Sequence, residues 1–214
     1  MGRWISIDGV ETAGKSTLVA HMSRLRPQWA VSSRFSQTRL GDILADGFRT
    51  NPYVAQRPAA AQALMVFADF LIRWQEEVKP VVDSGRTVIT DRGWLSKLVY
   101  QAVILEVGQE PLLNFDGHFA ESVMSRVPKP DLTVLLLPSP ETIFERLARA
   151  GASVTGHRKE MVRRLLNRFE EAAALVDPLI VVQDDETPEE AAVRILNDLE
   201  PTRAPDDSVK IAMA

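Results

Sequence analysis

The chain has 214 residues, 45% of them hydrophobic, and its 25 Lys and Arg residues against 29 Asp and Glu residues leave a net charge of -4. This length suits one α/β domain with a sizeable core, and the small net charge gives no sign of nucleic-acid binding through overall charge. The absence of cysteine excludes disulfides and thiolate metal sites, and no apolar stretch reaches the roughly 18 to 20 residues that span a bilayer, so we expect a cytoplasmic protein without a membrane partner.

Short apolar runs alternate along the chain with stretches of helical periodicity. The runs predicted as strands are Trp4–Asp8, Ala30–Phe35, Thr87–Asp91, Leu132–Leu137 and Leu179–Val182. Buried strands that alternate with helices indicate a parallel sheet covered on both faces. The sequence therefore predicts a single domain over residues 1–200, followed by a flexible tail over residues 201–214.

The first predicted strand runs into GVETAGKSTL, residues 9–18, which fits the pattern G-x-x-x-x-G-K-[ST]. Glycines let the backbone curl so that N–H groups point at phosphate oxygens, and the positive end of the following helix adds to that attraction. Lys15 is expected to reach the β- and γ-phosphates of ATP, and the Ser16 hydroxyl to coordinate Mg²⁺. The residues predicted to bind the phosphates of ATP are Gly9, Ala13, Gly14, Lys15, Ser16 and Thr17.

A long helix is predicted ahead of the third strand. Its apolar stripe consists of Leu64, Phe67, Leu71, Trp74 and Val78. This repeat follows the helical period and indicates a helix that buries one face. Because proline cannot continue the hydrogen-bond ladder, the helix should end at about Lys79, before Pro80.

The third predicted strand ends in VITDR, where an acid is followed by an arginine. In open parallel sheets, ligands bind in the crevice at the carboxyl ends of the strands. We therefore expect Asp91 to hold Mg²⁺ or its water shell and Arg92 to project into the same crevice. The guanine-reading motif Asn-Lys-x-Asp is absent from the chain, which argues against a GTPase switch.

A helix and a lid are predicted after the fourth strand. Pro138-Ser139-Pro140-Glu141 should start the helix, with Ser139 as its N-cap and Pro140 at its first position. The segment Ala148–Gly156 then combines glycines with small residues between two helices. We expect it to form a lid over about residues 147–160.

Three blocks of the chain, in this order, resemble the thymidylate kinase family of nucleoside-monophosphate kinases. The family's opening strand and phosphate loop resemble WISIDGVETAGKSTL, and its fourth strand and lid helix resemble PDLTVLLLPSPETIFERLARAG. Its central helix, third strand and Asp-Arg motif resemble FADFLIRWQEEVKPVVDSGRTVITDRGWLSKLVYQ. The resemblance implies a P-loop kinase fold, with a five-stranded parallel sheet flanked by helices, and a homodimer. It also implies transfer of the γ-phosphoryl group of ATP, with Mg²⁺, to the 5′-phosphate of a deoxynucleoside monophosphate.

The resemblance also implies which residues bind the acceptor. The set carried over from the family is Glu11, Arg34, Phe70, Arg92, Ser96, Tyr100 and Gln101. Glu11 falls on the acid that faces the acceptor sugar, and Arg34 and Arg92 fall on the arginines that hold its phosphate. Tyr100 and Gln101 match the residues that pack against the deoxyribose and hydrogen-bond the base.

Catalysis is implied to rest on three cations. Phosphoryl transfer needs alignment and positive charge at the migrating group more than covalent help, and a closing lid keeps water away from it. Lys15 and Arg92 supply two of the cations. The resemblance implies Arg149 as the lid arginine, with Arg146 or Arg158 as substitutes.

The chain departs from the family pattern on the acceptor side. In the family, the central helix carries Phe-x-Ala-Asp-Arg, whose arginine reads the pyrimidine, and here Phe70 stands in its place. The loop RFSQTRLGD is shorter and lacks the family's proline, and Gly93 replaces the aromatic after Asp-Arg. Because loss of a charged donor changes base discrimination strongly, we expect an altered base pocket.

This altered pocket leaves three alternatives open. One is a kinase of a modified base, such as 5-hydroxymethyluracil in a nucleotide or in DNA, and a DNA acceptor would need a basic groove. The residues that could line such a groove are Arg158, Lys159, Arg163, Arg164 and Arg168. The second is a P-loop NTPase that regulates a partner. Such a protein would not need the acceptor-side arginines, so their presence argues against it. The third is a degenerate scaffold subunit, which the complete phosphate loop argues against.

Overall fold

The computed structural model describes residues 2–50, 58–108 and 125–199, and the predicted tail over residues 201–214 lies outside them. The strands are β1 Trp4–Gly9, β2 Ala30–Ser32, β3 Val88–Asp91, β4 Leu132–Leu136 and β5 Leu179–Val182. They form one parallel sheet in the order β2-β3-β1-β4-β5. The five-stranded parallel sheet predicted from the sequence is confirmed. β2 is shorter than predicted because Phe35 packs in a cluster with residues of three helices instead of extending the strand.

Helices flank the sheet. They are α1 Lys15–Leu25, α2 Arg39–Thr50, α3 Ala59–Arg73, α4 Lys79–Asp83, α5 Trp94–Gly108, α6 Pro140–Arg149, α7 Gly156–Ala173 and α8 Pro188–Leu199. α1 packs against α8, and α5 packs against both α3 and α7. Within the described part of the chain, no helix is both long and apolar enough to cross a bilayer.

The central helix does not stop at Pro80. α3 continues through a π-helical turn, Trp74–Val78, into α4. In that turn the backbone N–H of Lys79 donates to the carbonyl of Trp74, five residues back. The shift in the ladder places Pro80 in the first turn of α4, where the missing N–H of a proline is tolerated. The predicted end of this helix was therefore wrong, and the helical backbone runs on to Asp83.

The start of α6 is as predicted. The Ser139 hydroxyl accepts a hydrogen bond from the backbone N–H of Thr142 at 3.2 Å, and Pro140 is the first helical residue. The N-cap satisfies one of the free N–H groups at the helix start, and proline has no N–H to lose there. Both features fix where the chain turns back after β4.

The core divides into three clusters of buried residues. The largest includes Ile5, Ile7 and Val134 of the sheet, which are fully buried between helices. A second is built on Trp4 and α3, and a third joins the loop after β2 to α2, α3 and α5. The third cluster lies away from the central strands, so it can shape the loop after β2 without disturbing the sheet.

Candidate active site

The sheet topology brings three candidate segments to one edge. β1 pairs with β3 so that Ile7 lies beside Asp91, and β3 pairs in turn with β2. The loops that follow these three strands carry the phosphate-binding stretch, Arg34 and Arg92. Because all strands are parallel, these loops leave the sheet at the same edge and form its crevice.

Left-handed backbone conformations shape the phosphate loop. Gly9 has a φ of 136°, Thr12 of 55° and Gly14 of 106°. A Cβ atom at Gly9 would lie 2.5 Å from the carbonyl oxygen of Leu136, so only glycine fits there. These angles give the tight curl that a phosphate-cradling loop requires, and buried Ala13 anchors it in the core.

The first turn of α1 presents a cation and two hydroxyls. Lys15 is buried, and its Nζ donates to the carbonyl of Val10 in the same loop. Burial lowers the pKa of Lys15 well below its ordinary value, and the nearby charge of Arg92 lowers it further. Ser16 and Thr17 are exposed in the same turn, where a helix start favours anions.

A buried carboxylate ties the phosphate loop to α5. Asp8 Oδ1 accepts the backbone N–H groups of Gly93 at 3.0 Å and Ser96 at 2.8 Å, and Oδ2 accepts the Ser6 hydroxyl. A Cβ atom at Gly93 would collide with that hydroxyl, which explains why no aromatic side chain stands after Asp-Arg. Sequence reasoning missed Asp8, although an acid inside an apolar strand is a visible signal.

Arg92 connects the loop after β3 to the phosphate loop. It has a left-handed φ of 63°, and its Nη1 donates to the carbonyl of Gly9 at 2.8 Å. Its Nη2 donates to the Tyr100 hydroxyl at 3.2 Å, and this oxygen also accepts the backbone N–H of Glu11 at 3.0 Å. Arg92, Tyr100 and the phosphate loop therefore form one hydrogen-bonded unit.

Arg34 lies on the loop after β2, over two stacked aromatic rings. Its guanidinium carbon is 4.9 Å from the ring centres of both Phe35 and Phe48. Burial, followed by the charge of Arg92, lowers the pKa of Arg34 to about 10. The two arginines thus lie close enough to act electrostatically on each other, and together they suit an anion.

Three charged residues of the central helix, spaced four apart, hold this loop. Asp69 accepts the Ser36 hydroxyl at 2.6 Å, and Glu77 accepts the Ser32 hydroxyl at 2.9 Å. Between them, Arg73 is 1% exposed and donates to backbone carbonyls. Sequence reasoning missed all three, because charges at helical spacing usually indicate a solvated face.

Lys97 is a second buried lysine at the site, which sequence reasoning also missed. Its Nζ donates to the carbonyl of Arg34 at 3.0 Å and lies 4.4 Å from the ring centre of Phe35. Burial, followed by the charges of Arg73 and Arg34, lowers the pKa of Lys97 well below its ordinary value. Its signal was visible, since it is the sole charge in the stretch from residue 94 to 105.

Asp91 and Ser16 fit a magnesium ion. The Oδ1 atom of Asp91 is buried and has no hydrogen-bond partner among the described residues, and its charge acts on nearby Lys15. Mg²⁺ takes oxygen ligands and is usually held by one or two protein groups, water and substrate phosphates. In the described parts of the chain, no three His, Cys, Asp or Glu residues cluster as a metal site.

The arginines considered for the predicted lid lie in different surroundings. Arg146 donates to a carbonyl of the phosphate loop at 2.8 Å, and Arg158 pairs with the carboxylate of Glu11 at 2.6 Å. The side chain of Arg149 is 76% exposed and pairs with Glu145 along its own helix. The structure therefore brings Arg146 and Arg158 to the phosphate loop and leaves Arg149 at the surface.

The remaining residues predicted to bind the acceptor differ in where they lie. Phe70 is buried in the second core cluster, with its ring centre 6.4 Å from that of Trp4, and is not brought to the crevice. Ser96 Oγ and Gln101 Oε1 are buried and have no hydrogen-bond partner among the described residues. Buried polar atoms without a protein partner are uncommon and point to water or a ligand.

Comparisons with known proteins agree on one family. A family model described as thymidylate kinase matches residues 7–195. The thymidylate kinase of Caldicellulosiruptor saccharolyticus is 25% identical over 92% of this chain and 97% of its own length. The thymidylate kinase of Legionella pneumophila strain Corby is 31% identical over 65% and 66% of the two chains. The solved structure of thymidylate kinase from Candida albicans superposes with a TM-score of 0.69 at 20% identity, over 94% of this chain and 92% of that one.

Proposed function

The chain belongs to the thymidylate kinase family and is a nucleoside-monophosphate kinase, and from that premise we propose that it phosphorylates a deoxynucleoside monophosphate. The γ-phosphoryl group of ATP would pass to the oxygen of the acceptor's 5′-phosphate, and ADP would leave. The observation that carries this proposal is the pair Arg34 and Arg92, placed beside the phosphate loop. A regulatory NTPase would have no use for such a pair.

The donor side would bind ATP through the phosphate loop. Lys15 would leave the carbonyl of Val10 for the β- and γ-phosphate oxygens, where its charge offsets the charge that develops on transfer. Asp91 and Ser16 would hold Mg²⁺, which supplies charge neutralisation at the same phosphates. The buried, unpaired oxygen of Asp91 supports this assignment.

The acceptor side would hold the second phosphate in line with the first. Arg92 is fixed by the carbonyl of Gly9 and by the Tyr100 hydroxyl, so its guanidinium is preorganised next to the donor phosphates. Arg34 would close on the same anion from the loop after β2. Bidentate arginine contacts suit phosphate oxygens, and preorganisation lowers the cost of aligning two anions.

The lid would supply the last cations. Arg146 and Arg158 already touch the phosphate loop, so either one reaches the transferring group through a small movement. Glu11 would exchange Arg158 for the hydroxyl of the acceptor sugar. Lid closure would exclude water and thereby suppress hydrolysis of ATP.

A free nucleotide suits this site better than DNA. Of the five basic residues that could line a groove, Arg158, Arg164 and Arg168 form ion pairs with carboxylates, which reduces the positive charge available to a polymer. The buried oxygens of Ser96 and Gln101 suit donors on a single enclosed base. The pocket's selectivity remains altered in our proposal, because Phe70 offers no charged donor.

The test is an ADP-release assay with ATP and Mg²⁺ on the purified protein. The acceptors are dTMP, dUMP, 5-hydroxymethyl-dUMP, dCMP, the purine monophosphates and duplex DNA that contains 5-hydroxymethyluracil. The proposal expects turnover with at least one monophosphate and none with DNA, and Lys15→Ala serves as the blank. Phosphorylation of DNA alone would select the modified-base alternative. Hydrolysis of ATP that does not depend on any acceptor would favour the regulatory P-loop NTPase instead.

A further inference from the structure

Arg73 occupies an unusual place for a charged side chain. It ends α3, is 1% exposed, and its Nε and Nη2 donate to the hydroxyl and the carbonyl of Ser32 at 2.9 and 3.3 Å. Burial lowers the pKa of Arg73 to about 10. The carboxylates whose charges favour the cation are those of Glu77, Asp91, Asp69 and Asp8. Among the described residues none of these carboxylates forms a direct ion pair with it, and its hydrogen bonds go to Ser32 and to backbone carbonyls.

The third nitrogen of Arg73 joins the two loops proposed to grip the acceptor. Nη1 donates to the carbonyl of Arg92 at 2.7 Å and to the carbonyl of Arg34 at 3.3 Å. One planar guanidinium therefore holds the backbones of both residues at a fixed separation. A lysine could not do this, because its point charge lacks the rigid fork that reaches several carbonyls at once.

The backbone of Arg92 needs such support. Its φ of 63° lies in the left-handed region, which costs free energy for a residue other than glycine and persists only where the surroundings impose it. The backbone N–H of Arg92 donates to Ile7, and its carbonyl accepts from Arg73. The peptide groups on both sides of the strained residue are thus held.

The loop after β2 has the same need for a different reason. It contains no proline to stiffen it, so its shape depends on side chains that reach it from outside. Arg73 and Lys97 both donate to the carbonyl of Arg34, one from α3 and one from α5. Arg73 is the member of this pair that also reaches the other loop.

We infer that Arg73 is a positioning residue, which sets the distance between Arg34 and Arg92 and thereby the geometry in which the acceptor phosphate is held. This inference rests on the proposed function and assigns Arg73 no contact with substrate. It predicts that loss of the fork weakens acceptor binding while the ATP site, built on β1 and α1, stays intact.

The experiment compares Arg73→Lys and Arg73→Met with Ser36→Ala. Ser36 lies on the same loop and is held from the same helix by Asp69, but it touches neither arginine carbonyl, so it controls for general loosening. For each variant, kcat and the KM values for acceptor and ATP are measured, with thermal unfolding as a check of folding. We expect Arg73→Lys to raise acceptor KM about 10-fold and leave ATP KM within about 2-fold. Ser36→Ala loosens the same loop without releasing the carbonyl of Arg34 or Arg92, so it should raise acceptor KM by a smaller factor than Arg73→Lys.

A double-variant cycle separates positioning from stability. If Arg73 aligns Arg34, then Arg34→Met should raise acceptor KM less in the Arg73→Lys protein than in the wild type. Equal increases in both backgrounds, or a parallel rise of ATP KM in the Arg73 variants, would overturn the inference and leave the proposed function intact. A folded wild-type protein that phosphorylates none of the acceptors would overturn both.

Discussion

The proposed donor and acceptor sides of the crevice are built in different ways. Apart from Asp91 at the end of β3, the donor side lies within residues 9–17 and consists mostly of backbone, with one buried cation, Lys15. The acceptor side draws Arg34, Arg73, Arg92 and Lys97 from four separate segments. It is held by side-chain hydrogen bonds to backbone carbonyls rather than by a local turn.

This difference indicates which side of the crevice depends on a fixed local sequence pattern. A phosphate loop made from consecutive residues needs a fixed pattern, because each residue sets the backbone of the next. An acceptor site assembled from distant side chains can exchange one support for another. In this chain the supports are Asp8, which binds the backbone of Gly93 and Ser96, and Arg73 with Lys97, which bind the carbonyl of Arg34.

Removal of the donor-side cation should have the largest effect. Lys15→Met should lower kcat by about 1,000-fold or more, because no other group of the loop supplies charge at the transferring phosphate. The dissociation constant of the acceptor, measured by calorimetry, should change by less than about 2-fold, since the acceptor phosphate is expected to bind Arg34 and Arg92 and not Lys15. Lys79→Met, at an exposed lysine, is the control. A loss of acceptor affinity in Lys15→Met as large as its loss of kcat would show that the donor and acceptor sides are coupled.

Arg92 tests the acceptor side alone. Arg92→Met should reduce kcat/KM for the acceptor by about 100-fold, because a preorganised, charge-assisted contact to phosphate is lost. ATP KM should change by less than about 3-fold. Arg86→Met replaces an exposed arginine that lies just before β3, and it should behave as wild type in the same assay. An ATP KM that rises as much as acceptor KM would assign Arg92 to the donor side.

Gly93, which follows Arg92 on the acceptor side, packs against Ser6 of β1, the strand that leads into the phosphate loop of the donor side. Gly93→Ala should lower the free energy of unfolding by about 2 to 3 kcal/mol, because the new methyl group collides with Ser6. Urea unfolding measures the change, and Ser6→Gly in the same chain should recover part of it. Gly156→Ala, where a Cβ meets nothing within 4 Å, is the matched control. An unchanged free energy of unfolding for Gly93→Ala would mean that β1 and the loop after β3 are not tightly packed at this contact.

Two arginine variants test which residue of the predicted lid supplies positive charge to the transferring phosphoryl group. Arg158→Gln should lower kcat about 10-fold or more, while Arg149→Gln should stay within about 2-fold, because of these two arginines only Arg158 reaches the phosphate loop. Both variants remove one charge from the same segment, so each controls for the other. The reverse ranking would favour the assignment of Arg149 that the family resemblance implies.

The smallest effect concerns the buried lysine of the acceptor side. Because the pKa of Lys97 is lower in the folded chain than in the unfolded one, the unfolded state binds more protons between those two values, and stability should rise with pH there. Each pKa unit of difference corresponds to about 1.4 kcal/mol. Urea unfolding across the alkaline range should show a weaker rise for Lys97→Met than for wild type. Lys15, Arg34 and Arg73 also have lowered pKa values and contribute rises of their own, so equal slopes would assign the effect to those three groups and not to Lys97.

The sequence by itself determined the sheet and the donor side. Strands, the phosphate loop and the N-cap at Ser139 depend on residues that are close together in the chain, so local pattern was enough. The family's blocks also indicated Arg34, Arg92 and Tyr100, which the structure gathers in one crevice.

Only the tertiary structure decided how the acceptor side is supported. Whether Asp69, Arg73 and Glu77 face water or a loop depends on what packs against α3, and a helical charge pattern is the same in both cases. The π-helical turn that carries the helix past Pro80 and the burial of Phe70 beside Trp4 depend likewise on neighbours distant in sequence. The sequence also could not tell which arginine of the predicted lid contacts Glu11. The directions of α6 and α7 bring Arg158 to Glu11 and leave Arg149 paired with Glu145.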